Sequence, residues 1–173
     1  MEEQIMPNRI LISTAVLVWL CTPAFAAEEK QHLVTYQAMT TEVALQAAQT
    51  TMESCREKGY QVSVAVVDRG GNVQVLLRDR FAGSHTPNTA IGKAATAVSF
   101  RTSTLELAEL VRTGEIPTGI QNLPGVVMVG GGIKVESAGS IVGGIGVSGA
   151  PGGAADEDCA NAGADAIQEL IEF

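Results

Sequence analysis

Histidine and cysteine are scarce in this chain, two and three among 173 residues, and no Cys-x-x-Cys pair is present, which argues against a closed structural zinc site. Basic residues are few as well. Eleven Lys and Arg stand against 19 Asp and Glu, a formal net charge of −8, so nucleic acid and anionic membrane surfaces are poor partners. Glycine is plentiful at 19, yet no string has the spacing of a P-loop or a dinucleotide fingerprint. GGIGVSG runs along a strand pattern, and Ser148 in G-V-S-G-A lacks both the G-x-S-x-G elbow and a base partner.

The apolar run ILISTAVLVWL at 10–20 is too short to span a bilayer and is followed by Thr22-Pro23-Ala24-Phe25-Ala26, which ends in an A-x-A pattern. Residues 1–26 are therefore expected to be a cleaved signal peptide, with 27–39 a lead segment and 40–173 the folded domain. Glu2 and Glu3 suit an export leader poorly, so Met6 is the better start. Leu20 is too large for the residue that a lipobox needs before Cys21, which favours soluble export to the periplasm or the medium, with no stable membrane insertion after cleavage. Cys55 and Cys159 then remain in an oxidising compartment, where a pair can bridge.

The segment TTEVALQAAQTTMESCREKG reads as a helix, with Thr40 as N-cap, Ala44, Ala48, Met52 and Cys55 on one face, and Gly59 as the stop. A short edge strand is expected before it, at His32 to Tyr36. VSVAVVD and NVQVLLRD flank Arg69-Gly70-Gly71-Asn72 as a β-hairpin whose first strand is covered on both faces. A helix from Pro87 to Phe100 follows, with Thr86 as N-cap and Pro87 at N1, and then a second one with a Ser103–Glu106 capping box and a stop at Gly114. VVMV, IKVE and IVGGIGVSG suggest three more strands. AADEDCANAGADAIQELIEF reads as a last helix, with Asp156, Glu157 and Asp158 in its first turn and Cys159, Gly163, Ile167 and Leu170 on its inner stripe. Hairpins with helices packed on the sheet define an α+β domain. If the first and last helices are antiparallel neighbours, Cys55 and Cys159 form a disulfide; otherwise they are two buried thiols.

His85 lies in the loop AGSHT, just before a helix N-terminus. Its two readings are a solvated turn residue and a metal or haem ligand, the helix dipole favouring the neutral imidazole that coordination requires. Lys93, two turns on among alanines, either snorkels to solvent or pairs with a carboxylate, a haem propionate included. The loop from Ser148 to Gly153 opens the last helix and could receive an anion on its amides, although Asp156 to Asp158 already occupy that field. Phe81, Phe100, Tyr36, Met39 and Met128 belong either to the core or to an apolar pocket.

Together, VSVAVVDRGGNVQVLLRD, AGSHTPNTAIGKAATAVSF, LPGVVMVGGGIKVE and IVGGIGVSGAPGGAADEDCANAGADAI resemble the GlcG/HbpS family of haem-binding or haem-degrading domains, from about Thr40 to Leu170. The resemblance implies a profilin-like α+β fold with a five-stranded antiparallel sheet, and assembly as homo-oligomers, often octamers. It also implies haem as cofactor, with His85 as the candidate axial ligand, Thr86 and Lys93 in the matching loop and helix, and Lys93 or Arg101 near a propionate. The expected function is an exported protein that sequesters, carries or senses haem. The alternatives are a haem-degrading enzyme using the same pocket, a small-metabolite or corrinoid-binding module, and an oligomeric partner protein without haem.

Overall fold

The structure, a computed structural model, describes residues 32–172, so the expected signal peptide, its Met6 start and Cys21 lie outside the described residues. Residues 32–36 form no strand, in contrast to the edge strand expected there, and Leu33 and Val34 stand exposed.

From Tyr36 onward the chain is one α+β body. Helix α1 spans Thr41–Glu57, opened by Thr40, whose hydroxyl accepts from the Val43 amide, and Gly59 takes the left-handed conformation after its end (φ 80°). Strands β1 (Ser63–Asp68) and β2 (Val73–Arg78) form the expected hairpin. Asp68 holds its turn by accepting from the amides of Gly70 (2.7 Å) and Asn72 (2.9 Å). Helices α2 (Thr86–Phe100) and α3 (Thr104–Thr113) follow, α3 with Ser103 as its cap and Gly114 at its left-handed end. Strands β3 (Gly132–Ser137) and β4 (Ser140–Ser148) precede α4 (Gly153–Asp165) and the short α5 (Gln168–Ile171).

The sheet has four antiparallel strands in the order β2-β1-β4-β3, not the five expected. The missing one is VVMV at 126–129. Its polar backbone is satisfied by helix side chains rather than by a ladder: the Val127 amide donates to Thr96 Oγ1 (2.9 Å) and the Val129 carbonyl accepts from Thr104 Oγ1 (2.8 Å). The last helix is also shorter than expected. It stops at Asp165, and the restart in α5 turns Ile171 inward while Leu170 faces solvent.

Strand β1 is buried on both faces, as its unbroken β-branched run predicts. On one face Val64, Val66, Ile133, Val135, Ile145 and Val147 pack against α1 and α4, where Cys55 and Cys159 are joined in a disulfide with Cα atoms 5.4 Å apart. The opposite face has a different chemistry. Ala65, Gly146 and Gly132 are register partners across β1, β4 and β3, and with Gly144 they make a floor on which the backbone of α2 rests directly. A Cβ on Gly146 would stand 2.0 Å from the Ala90 carbonyl oxygen and 2.7 Å from the Ala94 nitrogen. Gly146→Ala is therefore expected to push α2 off the sheet and to lower the unfolding free energy by about 2–3 kcal/mol. Gly119→Ala, whose Cβ meets nothing within 4 Å, should change it by less than about 0.5 kcal/mol, and urea titration of both variants checks the contrast.

The hairpin turn carries a pH dependence of known sign. The Asp68 carboxyl is held below its ordinary value of 3.8, chiefly by the Asn72 side-chain amide; burial opposes this, and the backbone amides of Asn72, Gly70 and Gly71 add to the lowering. A carboxylate whose native value is depressed stabilises the fold fully above its unfolded value and loses that contribution as the pH drops from 3.8 through the native value. Asp68→Ala should give a shallower loss of stability over that acid range than the parent, measured by unfolding at a series of pH values.

Candidate functional site

The close seating of α2 brings its N-terminus beside the N-terminus of α4, across the ends of β1 and β4. Between them opens a cleft of about 370 Å3, lined by His85, Thr89 and Lys93 from α2, by Ser148 to Ala150, and by Gly152, Gly153 and Asp156 from the start of α4. Gly83, Thr86 and Val129 complete its lining.

His85 is the N-cap of α2, one residue earlier than expected, and its side chain is exposed and makes no capping hydrogen bond. Thr86 gives up the cap because its hydroxyl is used elsewhere. It donates to the Gly83 carbonyl (2.7 Å) and shares a hydrogen bond with the Ser63 hydroxyl (2.8 Å), which ties the loop to β1 and leaves Thr86 buried. Gly83 makes room for the imidazole: a Cβ there would sit 2.8 Å from His85 Cε1. The loop thus fixes the backbone of His85 and leaves its ring at the mouth of the cleft.

Lys93 does not snorkel to solvent. It is 1% exposed, and its ammonium donates to Asp156 Oδ2 (2.7 Å) and to the Val147 carbonyl (2.9 Å). The glycines at 131 and 132 explain how a lysine fits there, since any side chain at Gly131 would meet the ammonium and one at Gly132 the Lys93 backbone. Asp156 completes the arrangement by accepting from the Ala150 amide through Oδ1 (2.9 Å), which fixes the loop that leads into α4. Burial pushes the Asp156 carboxyl above its ordinary value, while the Lys93 ammonium and the Ala150 and Gly149 amides pull it down. The charges of the pair cancel, so the inner wall is polar and close to neutral.

Arg101 is not brought to this cleft. It caps the far end of α2 in a left-handed conformation (φ 60°), 16 residues from His85, a separation of roughly 24 Å along the helix. The aromatic and methionine candidates do not converge either: Met39 is in the core, Phe81 and Tyr36 are exposed, and Phe100 and Met128 are half-buried. Asp156 is the wall residue that the sequence pointed to only as part of an acidic helix start; Ser148 opens the loop already read as able to receive an anion. The acidic first turn of α4 was legible, but nothing along the chain signals that Asp156 meets a lysine 63 residues earlier.

A second paired carboxylate, Asp79, lies outside the cleft. It accepts from Arg56 Nε (2.8 Å) and from the Val62 amide (3.2 Å), and so pins the end of β2 to α1. Among the described residues no three His, Cys, Asp or Glu side chains are grouped so as to hold a metal ion, and no helix is long and apolar enough to cross a membrane.

This α+β frame, with an exposed imidazole over a polar cleft between two helix N-termini, has known relatives. The family described as "Haem degrading protein HbpS-like" matches residues 39–165, and the chain belongs to that family. A double mutant of Streptomyces reticuli HbpS is similar in structure at a TM-score of 0.73 and 40% identity, covering 83% of this chain and 97% of that one. The structure of a PduOC–haem complex matches at a TM-score of 0.70 and 30% identity, over 75% of this chain and 95% of that chain. An uncharacterised 15.0 kDa protein of Citrobacter freundii, from a dhaT-dhaS intergenic region, is 31% identical over 136 residues, 74% of this chain and 94% of its own.

Were a haem to bind here, His85 would supply an imidazole to its iron and Lys93 with the start of α4 would supply donors to a propionate, while the apolar lining is limited to Val129, Ala150 and the methyl and methylene groups of the threonines and glycines.

Proposed function

We propose that this chain is an exported haem-binding protein, with His85 as the axial ligand, that sequesters, carries or senses haem. The observation that carries the reading is the exposed, uncapped imidazole of His85 at the mouth of the cleft, in a chain of the HbpS-like family that is 30% identical to the protein of a haem complex. When bound, haem supplies the iron centre, and the residues of this chain bind and orient it. Thr86 and Gly83 position the His85 loop, Lys93 supplies a propionate contact, and the low-lying α2 keeps both on a rigid element.

Export is supported by the A-x-A pattern at Ala24 to Ala26 and by the Cys55–Cys159 bridge, which suits an oxidising compartment. Homo-oligomer formation belongs to the same reading, since the edges β2 and β3 are free to take part in contacts between copies. The test is a haem titration of the purified chain followed by visible absorption. A saturable Soret shift at about one haem per chain supports the reading, and a shift that does not saturate removes it.

A second reading, oxidative haem degradation, is favoured by the family description itself. Incubating the loaded protein with a reductant and oxygen separates the two. Loss of the chromophore with release of iron, faster than for free haem under the same conditions, identifies an enzyme, and a stable chromophore identifies a carrier, store or sensor.

A further inference from the structure

The inner end of the cleft holds a set of hydrogen-bond donors that the iron-binding residue does not use. Ser148 is 6% exposed and lines the cleft, and its hydroxyl is bonded to no described residue, although its cross-strand partner Ser63 is satisfied by Thr86. An ammonium has three N–H bonds, and Lys93 places two of them, on Asp156 and Val147, which leaves one at the wall that Lys93 also lines. The third component is the start of α4, a helix of 13 residues whose N-cap is Gly152 and which therefore has no side-chain cap for its first amides.

We infer that Ser148, Lys93 and the first amides of α4 form a binding site for a single carboxylate group. The donors line one cleft and belong to buried side chains or to helix backbone, so little ordering is needed on binding. A carboxylate suits them better than a phosphate does. Asp156 already neutralises Lys93, and Glu157 accepts from the Gly131 amide nearby (3.2 Å), so a dianion would face two carboxylates with no uncompensated cation. A monoanion needs only the donors that are free. The site shares its cleft with the haem reading without depending on it, because the carboxylate can come from a small free acid or from a haem propionate.

Two sets of titrations test this on the purified full chain. In the first, amide resonances are followed while sodium acetate is added at constant ionic strength, with acetamide as the neutral isostere. Saturable shifts centred on Ser148 and on Gly153 to Ala155 with acetate, absent with acetamide and weakened about tenfold in Ser148→Ala, establish a site for free acids. In the second, haem is compared with its dimethyl ester. If acetate does not bind, but free-acid haem binds about tenfold more tightly than the ester and Ser148→Ala removes that difference, the site is there and its carboxylate is the propionate. Equal shifts with acetate and acetamide, or no acetate binding together with equal affinity for the two haems, would overturn the inference. Acetate binding without any haem binding would keep this site and remove the haem reading; equal, tight binding of both haems would do the reverse.

Discussion

Lys93→Met is expected to lower the unfolding free energy at pH 7.5 by about 4 kcal/mol, because it leaves the Asp156 carboxylate buried without its ammonium partner. The two side chains are 2% and 5% exposed, so water cannot replace the lost contact without opening the wall of the cleft. The sign of the pH dependence follows from the same burial. The Asp156 carboxyl is already held above its ordinary value by desolvation, and removing Lys93 takes away its strongest opposing contact, which raises it further. A group with a raised native value takes up a proton in the folded state first, so the destabilisation of Lys93→Met should shrink as the pH is lowered toward the acid range. Adding Asp156→Leu to Lys93→Met should recover much of the loss at neutral pH, since an apolar pair of similar volume has no charge to desolvate. Urea denaturation of the single and double variants at two pH values reads all three effects. A single variant as stable as the parent at pH 7.5 would mean that the pair is not desolvated in solution.

Removing the Cys55–Cys159 bridge should have an effect of similar size by another route. The bridge closes a loop with a sequence separation of 104 residues, and the chain-entropy model assigns about 4.7 kcal/mol to a loop of that length. Both half-cystines are fully buried between α1 and α4, so replacing them by serine also leaves two hydroxyls in an apolar layer. Cys55→Ala combined with Cys159→Ala avoids that second effect, and it should lower the Tm by roughly 10 °C or more. Thiol reductant should produce the same fall in the parent and none in the double variant. Agreement between the two would show that the fold relies on the bridge, which in turn favours an oxidising compartment.

Local signals in the sequence carried most of the architecture. Thr40, Ser103 and Gly114 act where capping chemistry places them, because a cap is decided within four residues. The double-faced β1 run was legible for the same reason, since burial on both faces leaves no polar alternation. Errors arose where a distant partner decides. VVMV has strand composition, but the side chains of Thr96 and Thr104, on two helices, take its hydrogen bonds first. Thr86 looks like a cap until Ser63 and the Gly83 carbonyl are seen to claim its hydroxyl. The burial of Lys93 depends on the absence of side chains at Gly131 and Gly132, for which nothing local to the lysine gives a signal. The site was thus half legible: the His85 loop, the carboxylate-pairing reading of Lys93 and the loop from Ser148 to Gly153 stood out, and the identity of Asp156 as the lysine's partner did not.

The central claim, that His85 presents its imidazole to haem iron, is tested most directly by the absorption spectrum of haem-loaded His85→Ala beside the parent, with and without added imidazole. A Soret band that shifts in the variant, an affinity reduced about tenfold or more, and recovery of the parent spectrum with free imidazole are the results expected of an axial ligand. A variant with the parent's affinity and spectrum would contradict the account and move the iron contact, if there is one, away from this loop.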